Sequence, residues 1–346
     1  MMTYQIQPIV RDSELNKKIV DHLNDLTKPQ GSLGRLEEFA LQYCLCKNSE
    51  TAKLNKMSMY TFAGDHGITD QQVCPFPKAV TCQMVSNMVH GGAAVSVLCK
   101  NAGIESFVVD MGVDGDFEYS SKLLNKKVAR GTADFSKDCA MTHSQCEDAI
   151  LHGSTLAAQS GADLLGIGEM GIGNSSSSSA LYSMLLSIDS DLTVGAGTGS
   201  AGPMFDHKKS VIKQAVELHA TNWNGTAIEA LRRVGGFEIA GMTGMILGGA
   251  ASRIPVVVDG FIAGAAALTA MKIEPSVKDY LYFSHASAER FHRAFFEMVG
   301  IRPVLDLDMR LGEGTGAALA MQIIAQSLHC YHEMATFSSA GISQEV

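Results

Sequence analysis

Charge is scarce in this 346-residue chain: 18% of its residues are charged, against 46% hydrophobic, and no basic block occurs. Without such a block the chain lacks the electrostatic footprint of a nucleic-acid binder. The net charge of −9 means that a phosphate site must be built locally, from backbone amides and one or two cations. The eight cysteines (44, 46, 74, 82, 99, 139, 146 and 330) show no CxxC spacing, which argues against a disulfide frame or a zinc site and for reduced thiols. The opening Met1-Met2-Thr3-Tyr4-Gln5 lacks a basic-then-apolar signal pattern. Together these two features predict a cytoplasmic protein. Long apolar runs are missing too. The most apolar windows, 237–251 and 254–271, are short or broken and carry Glu238 and Asp259. Buried helices and a strand explain them better than a bilayer span. No internal repeat is visible. Asp65 and His66 have no third partner at metal-ligand spacing, so neither a metal nor a cofactor is expected.

The chain has length enough for one large core or two unequal ones. Residues 12–50 read as polar helices broken at 26–34. Beyond them, short apolar runs at 57–63, 106–109, 163–167, 192–194 and 255–258 end in small or acidic residues, and longer helical runs follow. Runs rich in Val, Leu and Ile without polar alternation are how strands covered on both faces read. The alternation predicts an α/β fold: a mostly parallel, Rossmann-like sheet flanked by helices, with ligands beyond the carboxyl ends of its strands. The expected division is a large α/β domain over 55–290 and a smaller helical domain from 1–54 plus 291–346, the latter contributing Glu313.

Four stretches carry chemistry. In Leu311-Gly312-Glu313-Gly314-Thr315-Gly316 a lone carboxylate sits among glycines at the start of an Ala- and Leu-rich helical run. Glycines admit close approach of a ligand; the acid can serve as a proton acceptor or simply complement the helix dipole. Gly166-Ile167-Gly168-Glu169-Met170-Gly171-Ile172-Gly173-Asn174-Ser175 has the spacing G-x-G-x-x-G and runs into five serines, 175–179. The spacing suits a dinucleotide. Its mid-chain position and the serines suit a terminal phosphate better. Gly195-Ala196-Gly197-Thr198-Gly199 is a second glycine loop, and Lys208 follows within helical reach. Amides from both loops with a lysine would make a phosphate cup. Phe62-Ala63-Gly64-Asp65-His66-Gly67 puts an acid and a histidine at a strand end, where Asp65 serves equally as a structural acceptor or a substrate contact.

With these residues on the page, the chain resembles the nicotinate-nucleotide–dimethylbenzimidazole phosphoribosyltransferase family, which activates the lower ligand of cobamides. The matching segments run in family order: 28–37 (Lys-Pro-Gln-Gly-Ser-Leu-Gly-Arg-Leu-Glu), Asp65-His66-Gly67, Gly91-Gly92-Ala93-Ala94, 168–174, 197–199, 235–240 (Gly-Gly-Phe-Glu-Ile-Ala), Asp259-Gly260-Phe261-Ile262 and 311–316. The resemblance implies transfer of 5-phosphoribosyl from nicotinate mononucleotide to an aromatic acceptor, with inversion from β to α. It implies Glu313 as the base and Glu169 as a carboxylate facing an oxocarbenium-like ribose. Donor phosphate would rest on Gly171, Gly173, Asn174, Ser175, Ser176, Gly197, Thr198 and Gly199, with Lys208 as cation. The family forms dimers, so the expected partner is a second copy or a related subunit. For the acceptor pocket, alignment through Pro77 and Thr81 brings in Phe76 and Met84 beside Met170 and Leu311; a register one residue different brings in Gln83. Such an apolar, methionine-lined wall leans toward phenol or p-cresol over a benzimidazole, whose second nitrogen wants a polar partner. Two other functions stay open: an NAD-dependent dehydrogenase using 166–171, and a non-catalytic subunit completing another chain's site.

Overall fold

A computed structural model describes residues 4–197 and 199–343. Six strands, β1 (Met57–Gly64), β2 (Glu105–Gly112), β3 (Leu123–Asn125), β4 (Leu164–Met170), β5 (Val256–Val258) and β6 (Leu281–Phe283), form one sheet of order β3-β2-β1-β4-β5-β6. Every pairing is parallel. The chain lays β1, β2 and β3 outward in one direction, then returns to place β4 on the other side of β1. Strand order reverses between β1 and β4, and a crevice opens there beyond the carboxyl ends.

Both faces of the sheet are covered, which is why its strands are apolar without alternation. One face packs under the helices His143–Gln159, Asn174–Leu186, Phe237–Ala251 and Phe261–Ile273, with Phe62, Ile167, Val256 and Val258 in that core. The other carries Met59, Ala63, Val108, Leu164 and Val257 against Val85, Val95 and Met321. A third, small cluster joins Ile19, Leu23, Tyr43 and Leu45 of the helices Glu14–Asp25 and Arg35–Lys47 to Leu328 and Tyr331 near the end of the helix Thr315–Glu333. The apolar windows at 237–251 and 254–271 are two buried helices and β5. No helix among the described residues is long and apolar enough to cross a membrane.

Two sequence readings need correction. Residues 192–194 are not a strand: Ser190–Thr193 is a short helix whose start is capped by the Asp189 carboxylate, and the apolar Val194 is buried behind it. The spacing G-x-G-x-x-G is not a loop either, because β4 continues through Gly168, Glu169 and Met170. Gly166 and Gly168 are small for packing. A Cβ at Gly166 would lie 2.5 Å from Met59 Cε, and one at Gly168 would lie 2.2 Å from the backbone nitrogen of Gly314. The dinucleotide reading loses its motif, and the same glycines let the segment bearing Glu313 settle on β4. Strands β3 and β6, three residues each, lie outside the strands read from the sequence.

Candidate active site

Three acids meet where β1, β4 and β5 end. Glu169 is the penultimate residue of β4, Asp259 follows β5, and Glu313 comes from the turn before the helix Thr315–Glu333. Asp259 is buried and caps that helix from a distant strand. Its Oδ2 accepts the Gly314 amide at 2.9 Å, and Oδ1 accepts the Gly316 and Ala317 amides at 2.9 and 3.1 Å. Thr61 Oγ1, on β1, donates to the Glu313 carbonyl at 2.8 Å. These anchors hold an unusual turn: Gly312, Glu313 and Gly314 all lie in the left-handed region, with φ of 83°, 66° and 99°. For Glu313 that conformation costs about 1–2 kcal/mol. In return its side chain is presented at the cleft, 5% exposed, with Oε2 lacking any hydrogen-bond partner. Burial, then the neighbouring Asp259 charge, pushes the Glu313 carboxyl up to about 7, which is suited to a base working near neutrality.

Glu169 faces it across Gly312, where a Cβ would come within 2.2 Å of Glu169 Oε1. Its Oε2 accepts from Asn174 Nδ2. Burial is the largest influence and pushes this carboxyl up to about 8; Asn174 opposes it, and Asp259, Glu238 and Glu313 add to it. At neutral pH Glu169 therefore holds a proton, and a cation arriving in the cleft would favour its ionised form.

The opposite wall carries the residues read from the sequence as a phosphate cup. The helix Asn174–Leu186 begins at Gly173, φ 98°, with no side chain capping it; the Asn174 and Ser176 amides already bond the Gly171 and Gly173 carbonyls, which leaves the Ser175 amide for a ligand. Lys208 is buried and donates from Nζ to Ser175 Oγ at 3.0 Å and to the Gly195 carbonyl at 3.1 Å. Burial lowers its pKa, with Glu289 and Cys74 working the other way. Gly197 folds over the same spot: a Cβ there would stand 2.5 Å from Ser175 Oγ. Gly171, Gly173, Asn174, Ser175 and Gly197 all line the cleft together with Glu169 and Glu313. Ser176 Oγ is buried beside them without a partner. Gly199 is exposed, its amide bonded to the Ala196 carbonyl at 3.1 Å, and Thr198 lies outside the described residues.

On the acceptor side the structure brings some of the sequence-derived residues together and not others. Met170 and Leu311 line the cleft. Phe76 is 48% exposed, Gln83 is exposed, and Met84 packs against the second core from the helix Ala79–Val89; none of these three is among the lining residues. The side chain of that helix that meets the site loop is Thr81, whose hydroxyl accepts the Ile172 amide at 3.1 Å. Asp65 and His66 are buried supports. Asp65 Oδ2 accepts the Asp114 amide at 2.8 Å, while His66 bonds Glu238 at 2.7 Å and Ser177 at 3.0 Å. Sequence reasoning missed the roles of Cys74, His285, Ser287, Glu289 and Arg310, which also line the cleft. Only Asp259 had a signal, an acid directly after a strand-like run; Glu289 sits in no motif.

A sequence profile described as Phosphoribosyltransferase matches residues 9–342. A nicotinate-nucleotide–dimethylbenzimidazole phosphoribosyltransferase of Chlorobium chlorochromatii (strain CaD3) is 51% identical over 344 residues, 99% of this chain and 96% of that protein. The protein of the same name from Chlorobaculum parvum (strain DSM 263 / NCIMB 8327) is 49% identical over 341 residues, 98% and 96% of the two chains. The crystal structure of CobT from Thermus thermophilus superposes with a TM-score of 0.91 at 37% identity, covering 96% of this chain and 100% of that one.

Proposed function

Because the chain belongs to the nicotinate-nucleotide–dimethylbenzimidazole phosphoribosyltransferase family, we propose that its cleft transfers 5-phosphoribosyl from nicotinate mononucleotide to an aromatic nitrogen base of the benzimidazole class. Membership makes it a pentosyltransferase of cobamide lower-ligand synthesis. The observation that carries the proposal is the unpartnered Glu313 Oε2, facing a cleft whose other wall is Ser175, Gly197 and, behind them, Lys208.

The donor's phosphate sits on the Ser175 amide and the Lys208–Ser175 pair, which fixes the ribose toward the acids. The bond from C1′ to the pyridinium nitrogen breaks and its electron pair stays on nicotinate, neutralising that nitrogen, so the leaving group needs no proton. An acceptor ring nitrogen attacks C1′ from the opposite face, which inverts β to α. The attacking ring becomes cationic, and its N–H proton passes to Glu313 Oε2. The pyridinium charge of the donor favours ionised Glu169, which then faces the positive charge developing at the ribose.

A phenolic acceptor fits less well. The case for it rests on Phe76, Met84 and Met170; Met170 lines the cleft, and Phe76 and Met84 are not among its lining residues. Its hydroxyl, with a pKa near 10, would give its proton to a carboxylate at about 7 only as its oxygen bonds to C1′, the same order that an azole follows. A product assay with nicotinate mononucleotide and a panel of benzimidazole, 5,6-dimethylbenzimidazole, phenol and p-cresol tests the assignment. The benzimidazoles should lead in kcat/KM by about tenfold or more. Preference for p-cresol would overturn it. The non-catalytic alternative predicts no product from the purified chain alone.

A further inference from the structure

The anion-binding wall already faces an anion that belongs to the chain. Glu289, half-buried, lines the cleft with Ser175, Gly197 and Arg310. Its carboxylate lies beside the Gly197 amide and in the fields of Lys208 and Arg310. It rests on Gly195 so closely that a Cβ there would come 1.9 Å from Oε2, and the carbonyl of that same Gly195 accepts from Lys208 Nζ. An amide, an ammonium and a guanidinium are the groups that recognise a phosphate monoester, and one carboxylate sits in the field of both cations beside that amide. Burial pushes the Glu289 carboxyl up, while Lys208, the Gly197 amide and Arg310 pull it down. The arrangement also answers a cost: a buried ammonium with no counter-charge is expensive, and Lys208 is 1% exposed.

We propose that Glu289 is an internal stand-in for the donor's phosphate, its carboxylate resting on Gly195 beside the Gly197 amide and balancing the charge of Lys208 until a phosphate displaces it. The proposal rests on the reading of Lys208, Ser175 and Gly197 as the phosphate site. Displacement makes Glu289 a determinant of donor specificity. A riboside without phosphate brings no charge with which to compete for the cradle, whereas a phosphate monoester brings nearly two. The cradle thereby rejects the dephosphorylated donor at the step of binding.

Calorimetric titration with inorganic phosphate on the full chain tests this, using Glu289→Gln, Glu289→Asp and Lys208→Met, each checked for folding by circular dichroism. Glu289→Gln keeps an oxygen for the Gly197 amide and removes the competing charge. It should bind phosphate roughly three- to fivefold more tightly than the parent, the scale of one partly exposed charge pair. Glu289→Asp, a methylene shorter, should fall between. Lys208→Met should lose phosphate binding whichever way Glu289 behaves, so equal binding by Lys208→Met and the parent would remove the cradle itself. Loss in Lys208→Met combined with unchanged or weaker binding in both Glu289 variants would leave the cradle standing and overturn the stand-in. Steady-state kinetics adds a reading that a purely structural residue would not give: in Glu289→Gln the KM for the phosphorylated donor should fall relative to that for the riboside.

Discussion

Glu313 is held in a backbone conformation that only glycine adopts freely, between two glycines in the same region. Removing its carboxylate charge should leave donor binding intact and cut kcat by about 10²–10⁴-fold, the usual contribution of a general base; single-turnover kinetics on Glu313→Gln would show it, and near-normal turnover would refute the role. In the donor-free chain the ionised form grows through about 7, so kcat/KM should rise with pH over that range. Stability runs the opposite way. Glu169 and Glu313 bind protons more tightly in the folded chain, at about 8 and 7, than the ordinary glutamate value of 4.5. The stability they contribute is therefore complete below pH 4.5 and is lost as pH rises through 7 and 8. Glu169→Gln, which carries no charge at any pH, should raise Tm at pH 8 while changing it little at pH 4.5, and should slow turnover. Calorimetric scans at the two pH values decide it; a larger gain at the acidic value would reverse the assignment. At this scale the sequence was informative about Glu313 because glycines flank it. It was silent on Glu289, whose partners Lys208, Gly197 and Arg310 are distant in the chain or come from a separate loop.

Among the elements, Asp259 does two things at once. It caps the helix Thr315–Glu333 through three amides, and its charge helps keep the Glu313 pKa high. Asp259→Asn should cost about 1–2 kcal/mol of stability through the weakened cap and shift the rising limb of the pH–rate profile to lower pH. Denaturant titration measures the first effect and a pH series of kcat/KM the second; an unshifted limb would mean that Asp259 does not act on Glu313 by charge. The long apolar strands β1, β2 and β4, and β5 beside them, were legible because burial on both faces leaves an uninterrupted Val, Leu and Ile signature. The segment 192–194 misled because Val194 is apolar for a different reason, being tucked behind a one-turn helix. Strands β3 and β6 are too short to carry a period. The register of the acceptor loop was open to one residue, because the residues around Pro77 do not fix where the helix Ala79–Val89 begins.

Taken as a whole, the proposed donor site lies between walls that come from opposite sides of the sheet's crevice: the start of Asn174–Leu186 and the loop at 195–197 on one, the turn at 312–314 on the other. Ligand that bridges them should stabilise the entire fold. Nicotinate mononucleotide at about a hundred times its Kd should add about 2.7 kcal/mol by mass action, read as an upward shift in Tm that disappears in Lys208→Met. A shift that survives that substitution would put the donor elsewhere. The order of motifs along the chain made the family recognisable. The meeting of residues 61, 169, 259 and 313 at one point was not recoverable from spacing, because it follows from the reversal of strand order between β1 and β4.

That reversal also has a temporal side. A ribosome has finished all six strands by Phe283 before it makes Glu289, and Glu313 comes later still. A nascent chain can therefore pair β1 to β5 outside the ribosome before Glu313 is synthesised, and the turn at 312–314 closes onto a scaffold largely formed. Translation itself delays activity until the framework is ready to receive it.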